Sequence, residues 1–496
     1  MLNIRNKGKL CFLSLLLCLV TGCISDDTFS TDSSKHLSLA SDTIDFDTLF
    51  STVASSTRQT MVYNYSGENL RISTVRLQRG NQTGFRVNVS GSYLDNNTGS
   101  IIKDLEIRNG DSIRVFIEMT PKHNGALEPV KIEDNIIFTL ESGVQQNLAL
   151  RAQVWDAEIH ANQLVVGQDS VIRSSVPILL QKGLRVDSNV TLRIEAPTQL
   201  FFHSNTALNV YGTLIIAGAQ GEEVVLRGDR TDRMFPYLPY DRISGQWKGI
   251  RFYSSSDRNE ISYADIHATE DGIVCDSASS FSTDTRNLTI RYSKIHNCKG
   301  YGIKSHMSNL LVADTEISNA QNDCVAIYGG LATFVHCTIA QFYPFTAERG
   351  VALRFQNYDG AYSYPLHGLL CYNTIVTGLA GDEIMGNRKE DEASEEEIPY
   401  VYYFENCLLH TPEITDESQA EILKNVLWEK ADDEIQGSRH FRTTDMDNMI
   451  FDFRLSEQST AIGKGVLMSG FPVDRNGVVR PETPDLGCYQ TPEAKD

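Results

Sequence analysis

Three charged residues at one position of successive repeats are candidates for binding or chemistry: Lys299, Asp323 and Arg349. The alignment that relates them takes Gly272-Ile273, Gly302-Ile303, Ala326-Ile327 and Ala352-Leu353 as equivalent. Four residues before each aligned Ile or Leu stand Thr269, Lys299, Asp323 and Arg349. If the repeats are stacked strands, the trio sits at intervals of about 5 Å, one acid between two bases. One outcome is a ladder in which the acid screens both bases, modest in energy at an exposed site. Another is a groove for an acidic sugar, with the planar guanidinium of Arg349 suited to a carboxylate. A third is catalysis, in which a base works beside a neutralised carboxylate.

The elements that would position the trio are read from a periodic stretch, residues 261–410. An apolar centre returns every 22 residues at Ile295, Ile317 and Ile339, inside Lys294-Ile295-His296, Glu316-Ile317-Ser318 and Thr338-Ile339-Ala340. Tyr372-Asn373-Thr374-Ile375 and Asn406-Cys407-Leu408-Leu409 look like later copies. A period in the low twenties predicts a solenoid whose units cannot bury their apolar sides alone. Each unit holds short alternating runs such as Leu288-Thr289-Ile290, broken by Gly, Asn and Asp, which is strand patterning. Three strands and three turns close one rung of a parallel β-helix.

On these residues the stretch from about 160 to 490 resembles the right-handed parallel β-helix repeat proteins of Bacteroidetes-type cell surfaces. Gly245-Gln246-Trp247-Lys248-Gly249-Ile250 is similar to a signature of the same family. Trp247 is expected to pack under the irregular loop 229–245 rather than to serve as a sugar platform. Asp452-Phe453-Arg454-Leu455, Asp474-Arg475-Asn476-Gly477 and Asp485-Leu486-Gly487-Cys488-Tyr489 resemble the terminal segment of such proteins. That segment, about 450–490, is expected to cover the open end of the coil. Asn322-Asp323-Cys324-Val325-Ala326-Ile327 is similar to an element of polygalacturonase-type glycoside hydrolases, which invert with an acid and a base. Here the first Asp of that element is Asn322, and the partner motifs of neighbouring rungs are missing.

The first residues read as a targeting segment. Arg5, Lys7 and Lys9 precede an apolar run, Leu10 to Val20, too short to span a bilayer as a stable helix. Leu19-Val20-Thr21-Gly22-Cys23 resembles a bacterial lipobox, which implies a signal peptide over 1–22 and acylation of Cys23. Ser25-Asp26-Asp27 resembles an acidic signal for export to the outer surface of the outer membrane. Polar residues over 23–40 read as a flexible tether. Over 41–156, about seven alternating strands separated by turns such as Ser66-Gly67-Glu68-Asn69 predict a β-sandwich. Its motif order is similar to immunoglobulin-like domains of the abnormal-spindle and hydin type. The β-helix and its terminal segment then occupy 157–490. Residues 416–429 are expected to carry one short helix as an insertion, and the acidic run 389–397 a solvated loop.

The net charge of −20 argues against nucleic acid as a partner. Of 10 cysteines, seven lie in the repeat region at spacings unlike a disulfide framework, and no C-x-x-C pair is present. They are expected to be small apolar fillers of the coil. No cofactor and no metal is expected. The fold class is therefore all-β, an N-terminal β-sandwich followed by a right-handed parallel β-helix with a C-terminal capping segment. The function expected is non-catalytic recognition, at the surface, of a glycan or another envelope component by the β-helix face, with a polysaccharide or an envelope protein as partner and the membrane reached through the N-terminal lipid. The alternatives are a polysaccharide lyase or glycoside hydrolase acting around Asp323, and a structural envelope protein.

Overall fold

Strands dominate the regular structure of the described residues, and the chain divides into two compact units between Val154 and Trp155, with Gly125–Glu128 belonging to the second. The computed structural model describes residues 28–94, 99–389, 397–430 and 432–492. The signal peptide, Cys23, Ser25-Asp26-Asp27 and most of the acidic run 389–397 lie outside the described residues.

The first unit is a β-sandwich of two five-stranded antiparallel sheets. One contains Arg58–Tyr63, Ser112–Met119 and Phe85–Val89; the other contains Thr43–Phe50, Gln145–Trp155, Val130–Leu140 and Leu70–Leu77. Alternate residues of each strand point inward, so Val62, Ile72, Val87, Val115, Ile117 and Phe138 are fully buried between the sheets. Buried Asn64 fastens one turn, its amide donating to the carbonyls of Glu68 and Ile107 at 2.8 and 2.9 Å. The described part of the expected tether, residues 28–40, packs instead of hanging free. Leu37 is buried, Gln146 bonds its backbone in both directions, and Ser38–Leu39 pair with Tyr63 and Val62. Two apolar side chains and an open sheet edge outweigh the polar composition there.

The second unit is a right-handed parallel β-helix of three long parallel sheets with eleven, nine and ten strands. Each rung runs through the eleven-, nine- and ten-stranded sheets in that order. Ile266, Ile295, Ile317 and Ile339 occupy successive strands of the eleven-stranded sheet in strict register. They form one inward aliphatic ladder of a core that runs the length of the coil. From the rung at Ser262 onward, the corner between the ten- and eleven-stranded sheets turns on one left-handed residue per rung. Tyr292, Asp314, His336, Asn373 and Asn406 stand there with φ between 49° and 52°. Such a backbone is costly for most L-residues and least so for Asn and Asp. The next residue ties the bend. Thr315 and Thr374 hydroxyls donate to the carbonyls of Ala313 and Tyr372 at 2.7 and 2.9 Å, and the Cys337 and Cys407 thiols occupy the same position on neighbouring rungs. All seven cysteines of the unit are buried and free.

Two expectations need correction. Residues 416–429 form no α-helix. Asp416 caps a single 3-10 turn, Glu417–Gln419, and Leu423–Lys424 and Leu427–Trp428 then pair onto the preceding rung as strands. The terminal segment does not cover the open end of the coil. It lies along the outside of the eleven-stranded sheet, where Phe441, Phe453, Leu455, Ala461, Leu486 and Tyr489 pack on outward-facing Ala340, Phe342, Ile375 and Leu408. That apolar strip would otherwise face water, and the segment buries it. Polar contacts fix its course. Arg480 reaches Asp314 at 2.7 Å, Tyr489 bonds Glu316 at 2.5 Å, and Asn373 bonds both polar groups of the Val466 backbone.

Candidate functional site

The outer face of the nine-stranded sheet is built by alternation. In Leu184–Val186, Ile250–Phe252, Ile303–His306 and Leu353–Gln356 the first and third residues face the core, so Arg185, Arg251, Lys304 and Arg354 face out. Register places Asn209, Val274 and Ala326 between them, so a base stands on every second rung. That spacing is about 9.6 Å, twice the strand separation. Each base has a carboxylate partner. Arg185 lies 2.8 Å from Asp187, Arg251 2.9 Å from Asp276, Lys304 4.0 Å from Asp359 and Arg354 2.6 Å from Asp323.

A second outward row follows two positions later. Tyr211 and Tyr253 stack on adjacent rungs at 4.1 Å, as do His306 and Tyr328 at 4.9 Å. Arg185 lies over Tyr211 and Arg251 over Tyr253, both at 5.1 Å, and Lys304 over Tyr328 at 5.3 Å. Cation–ring contacts of this kind contribute about 0.5–1 kcal/mol each when exposed and keep the long side chains in place. Burial pushes the Tyr328 hydroxyl well above its ordinary range, so it remains a hydrogen-bonding group rather than a proton acceptor. A short hairpin, Tyr358–Asp359 with Tyr362–Ser363, borders this end, and Asp359 holds His306 at 2.9 Å. Arg185 and Arg251 are about half exposed (48% and 50%), against 25% and 21% for Lys304 and Arg354 beside the hairpin.

The residues singled out in the sequence are placed differently from the expected row. Ile303 pairs with Val325 and Val325 with Leu353, so the alignment through Ile327 was two residues out of register. Gln321, not Asp323, stands between Lys299 and Arg349. Asp323 is buried at the corner, held by Arg354 through Nε at 2.6 Å and Nη2 at 3.1 Å and by the Val351 N–H at 3.0 Å. Arg349 donates to the carbonyls of Tyr343 and Thr346 and so braces its own loop. The Lys299 stem lies against Gly245. An inverting hydrolase needs two carboxyl groups with room for a water between them. Asp323 is spent on Arg354, and the nearby Glu383 is fully buried, accepting from Ala352 and Ala380 N–H groups. Trp247 is 1% exposed, stacked on Phe202 at 4.2 Å, with its indole N–H on the His267 carbonyl, so it is a core residue.

No family model matches the chain, and no curated protein matches it. Among solved structures, the chain is similar to the VesB protease of Vibrio cholerae at 14% identity and TM-score 0.17, over 25% of this chain and 33% of that one. A family 123 glycoside hydrolase from Clostridium perfringens matches at 9% identity and TM-score 0.16, over 24% and 25%. A double mutant of the periplasmic alginate epimerase AlgG matches at 13% identity and TM-score 0.28, over 55% and 77%. The chain thus spans a third or less of the first two.

Sequence reasoning missed Arg185, Arg251, Lys304 and Arg354. Their signal was present: Arg185-Val186-Asp187, Arg251-Phe252-Tyr253, Lys304-Ser305-His306 and Arg354-Phe355-Gln356 repeat a base, an inward residue and an outward polar or aromatic residue.

Proposed function

We propose that the outer face of the nine-stranded sheet recognises a glycan without transforming it. The carrying observation is the base–acid pair on every second rung. A sugar hydroxyl donates one hydrogen and accepts others, so adjacent hydroxyls are met by a guanidinium donor beside a carboxylate acceptor. A polymer presents such hydroxyl sets at a regular interval, and this face repeats at about 9.6 Å. Asp323 acts in this reading through Arg354, which it orients. Lys299 and Arg349 flank the same corner and would contact a chain that runs past it.

The test is affinity electrophoresis of the protein against neutral and acidic polysaccharides, with assays for new reducing ends and unsaturated products. Retardation that is lost in Arg251→Ala and Lys304→Ala, without product, supports the reading. Product formation replaces it with an enzyme. No retardation by any polysaccharide removes it in favour of a protein partner or a structural envelope role.

The lipobox-like run and the acidic residues after Cys23 support attachment of this face to the outer membrane surface through a lipid. Replacing Cys23 by Ala should release the protein from membranes; retention in the membrane fraction would refute the anchor.

A further inference from the structure

A different face carries a second constellation. On the outside of the eleven-stranded sheet, Asp265-Ile266-His267 and Lys294-Ile295-His296 are register partners on adjacent strands. The two imidazoles stack at 4.9 Å with 22° between their planes. Both aim at one atom: Asp265 Oδ1 lies 2.7 Å from His267 Nδ1 and 3.0 Å from His296 Nε2. Each of the three residues offers one ligand atom such that all lie within 4.8 Å of one another. The remote nitrogen of His267, Nε2, faces Asp241 Oδ1 at 2.9 Å.

We propose that Asp265, His267 and His296 bind one divalent transition-metal ion, zinc being the reference ion. Two imidazole nitrogens and one carboxylate oxygen are the donor set such ions take, and hard cations such as calcium take oxygen ligands instead. Metal–ligand bonds of about 2.0–2.2 Å are reached by side-chain adjustments of less than about 1 Å from the present positions. Asp241 does what an outer carboxylate does at metal histidines: it accepts the N–H of His267 and leaves Nδ1 as the donor atom. Each nearby cation has a carboxylate partner other than Asp265, and Arg227 and Arg475 also act on Asp265 through space. Arg227 pairs with Asp241, Lys294 leans to Glu316 at 3.9 Å, and Arg475 lies 3.6 Å from Glu223. Three protein ligands leave a coordination position for water or another ligand. The ion joins two rungs directly, and Asp241 ties it to the 229–245 excursion. His267 and His296 lie outside the glycan face, so the two proposals stand or fall separately.

The test uses the full-length protein. Equilibrium dialysis against zinc chloride with elemental analysis should give one zinc per chain, and thermal melting should shift upward with zinc and back with a chelator. Cobalt(II) should give the visible ligand-field bands of a nitrogen-ligated site. His296→Gln should weaken binding at least tenfold and abolish the cobalt bands while melting like the metal-free parent. His306→Ala, on the other face, should bind like the parent. Less than half an equivalent of zinc in the parent, or equal binding in His296→Gln, overturns the proposal.

Discussion

Replacing Arg480 by Met should loosen the terminal segment from the coil. The Arg480 side chain is 1% exposed and Asp314 0%, with 2.7 Å between them. Arg480 also donates to the carbonyls of Val473 and Gly487, so one side chain ties the segment to itself and to a rung corner. Two unit charges about 4 Å apart at an effective dielectric near 20 attract by about 4 kcal/mol. Removing one partner of a buried pair costs about 3–5 kcal/mol, because the other is left uncompensated. Even with Arg480 in place, burial raises the Asp314 carboxyl to about 7. A raised carboxyl contributes stability at pH below its ordinary range near 3.8, and that contribution is lost as pH rises through about 7. Without Arg480 the carboxyl climbs further, so the variant should lose most at alkaline pH. Hydrogen exchange and limited proteolysis of residues 441–492, with urea unfolding from pH 5 to 8, would measure this. The double variant Arg480→Met/Asp314→Asn should recover part of the loss, Asn being tolerated at the φ of 49° found there. A single variant within about 0.5 kcal/mol of the parent, or a double variant no better than the single, would refute the reasoning.

Trp247→Ala removes the stack on Phe202 and should cost about 3–5 kcal/mol in urea unfolding; a cost under about 1 kcal/mol would mean the site collapses freely. Burial raises Glu383 to about 7 against the pull of three N–H groups, so its contribution, full below its ordinary range near 4.5, also disappears as pH rises through about 7. Glu383→Gln should flatten stability between pH 5 and 8, and an unchanged slope would contradict it. The seven buried thiols, with Cys275, Cys298 and Cys407 pushed up to about 12 by burial, should ignore thiol reagents in the folded protein and react together on unfolding; reaction of any of the seven in the native state would refute this.

The rung was legible in the sequence because its inward ladder is made of isoleucines at one spacing. Ile295, Ile317 and Ile339 could be aligned by letter alone, and the register bears them out. The slip at Asp323 came from a symmetry of strands. Val325 and Ile327 both point inward, so a shift of two residues preserves every inside–outside assignment while moving the corner residues to new neighbours. The trio was therefore spaced correctly along the axis and wrongly around it. The terminal segment was visible as letters, but its resting place depends on Phe342, Ile375 and Leu408, more than 30 residues away and on three separate rungs. Residues 28–40 failed for the opposite reason: their polar majority concealed Leu37 and Leu39, which do the packing.

The single-residue corner has a mechanical consequence. Excursions such as the hairpins at Arg233–Pro239 and Tyr358–Ser363 leave the coil at its other two corners, so this edge stays smooth along many rungs. A strap laid along a smooth edge can grip many coils at once. The terminal segment touches Gln220 and Glu223 near one end of its path and Asn373 near the other. At about 4.8 Å per rung, that path crosses roughly 24 Å of stacked strands. Coils held only by their neighbours unravel one at a time when pulled. Coils bound together lengthwise must part from the strap before any of them can peel. Under a pulling force the second unit would then resist tearing as one block, and its weakest point would be the strap's attachment rather than the last rung.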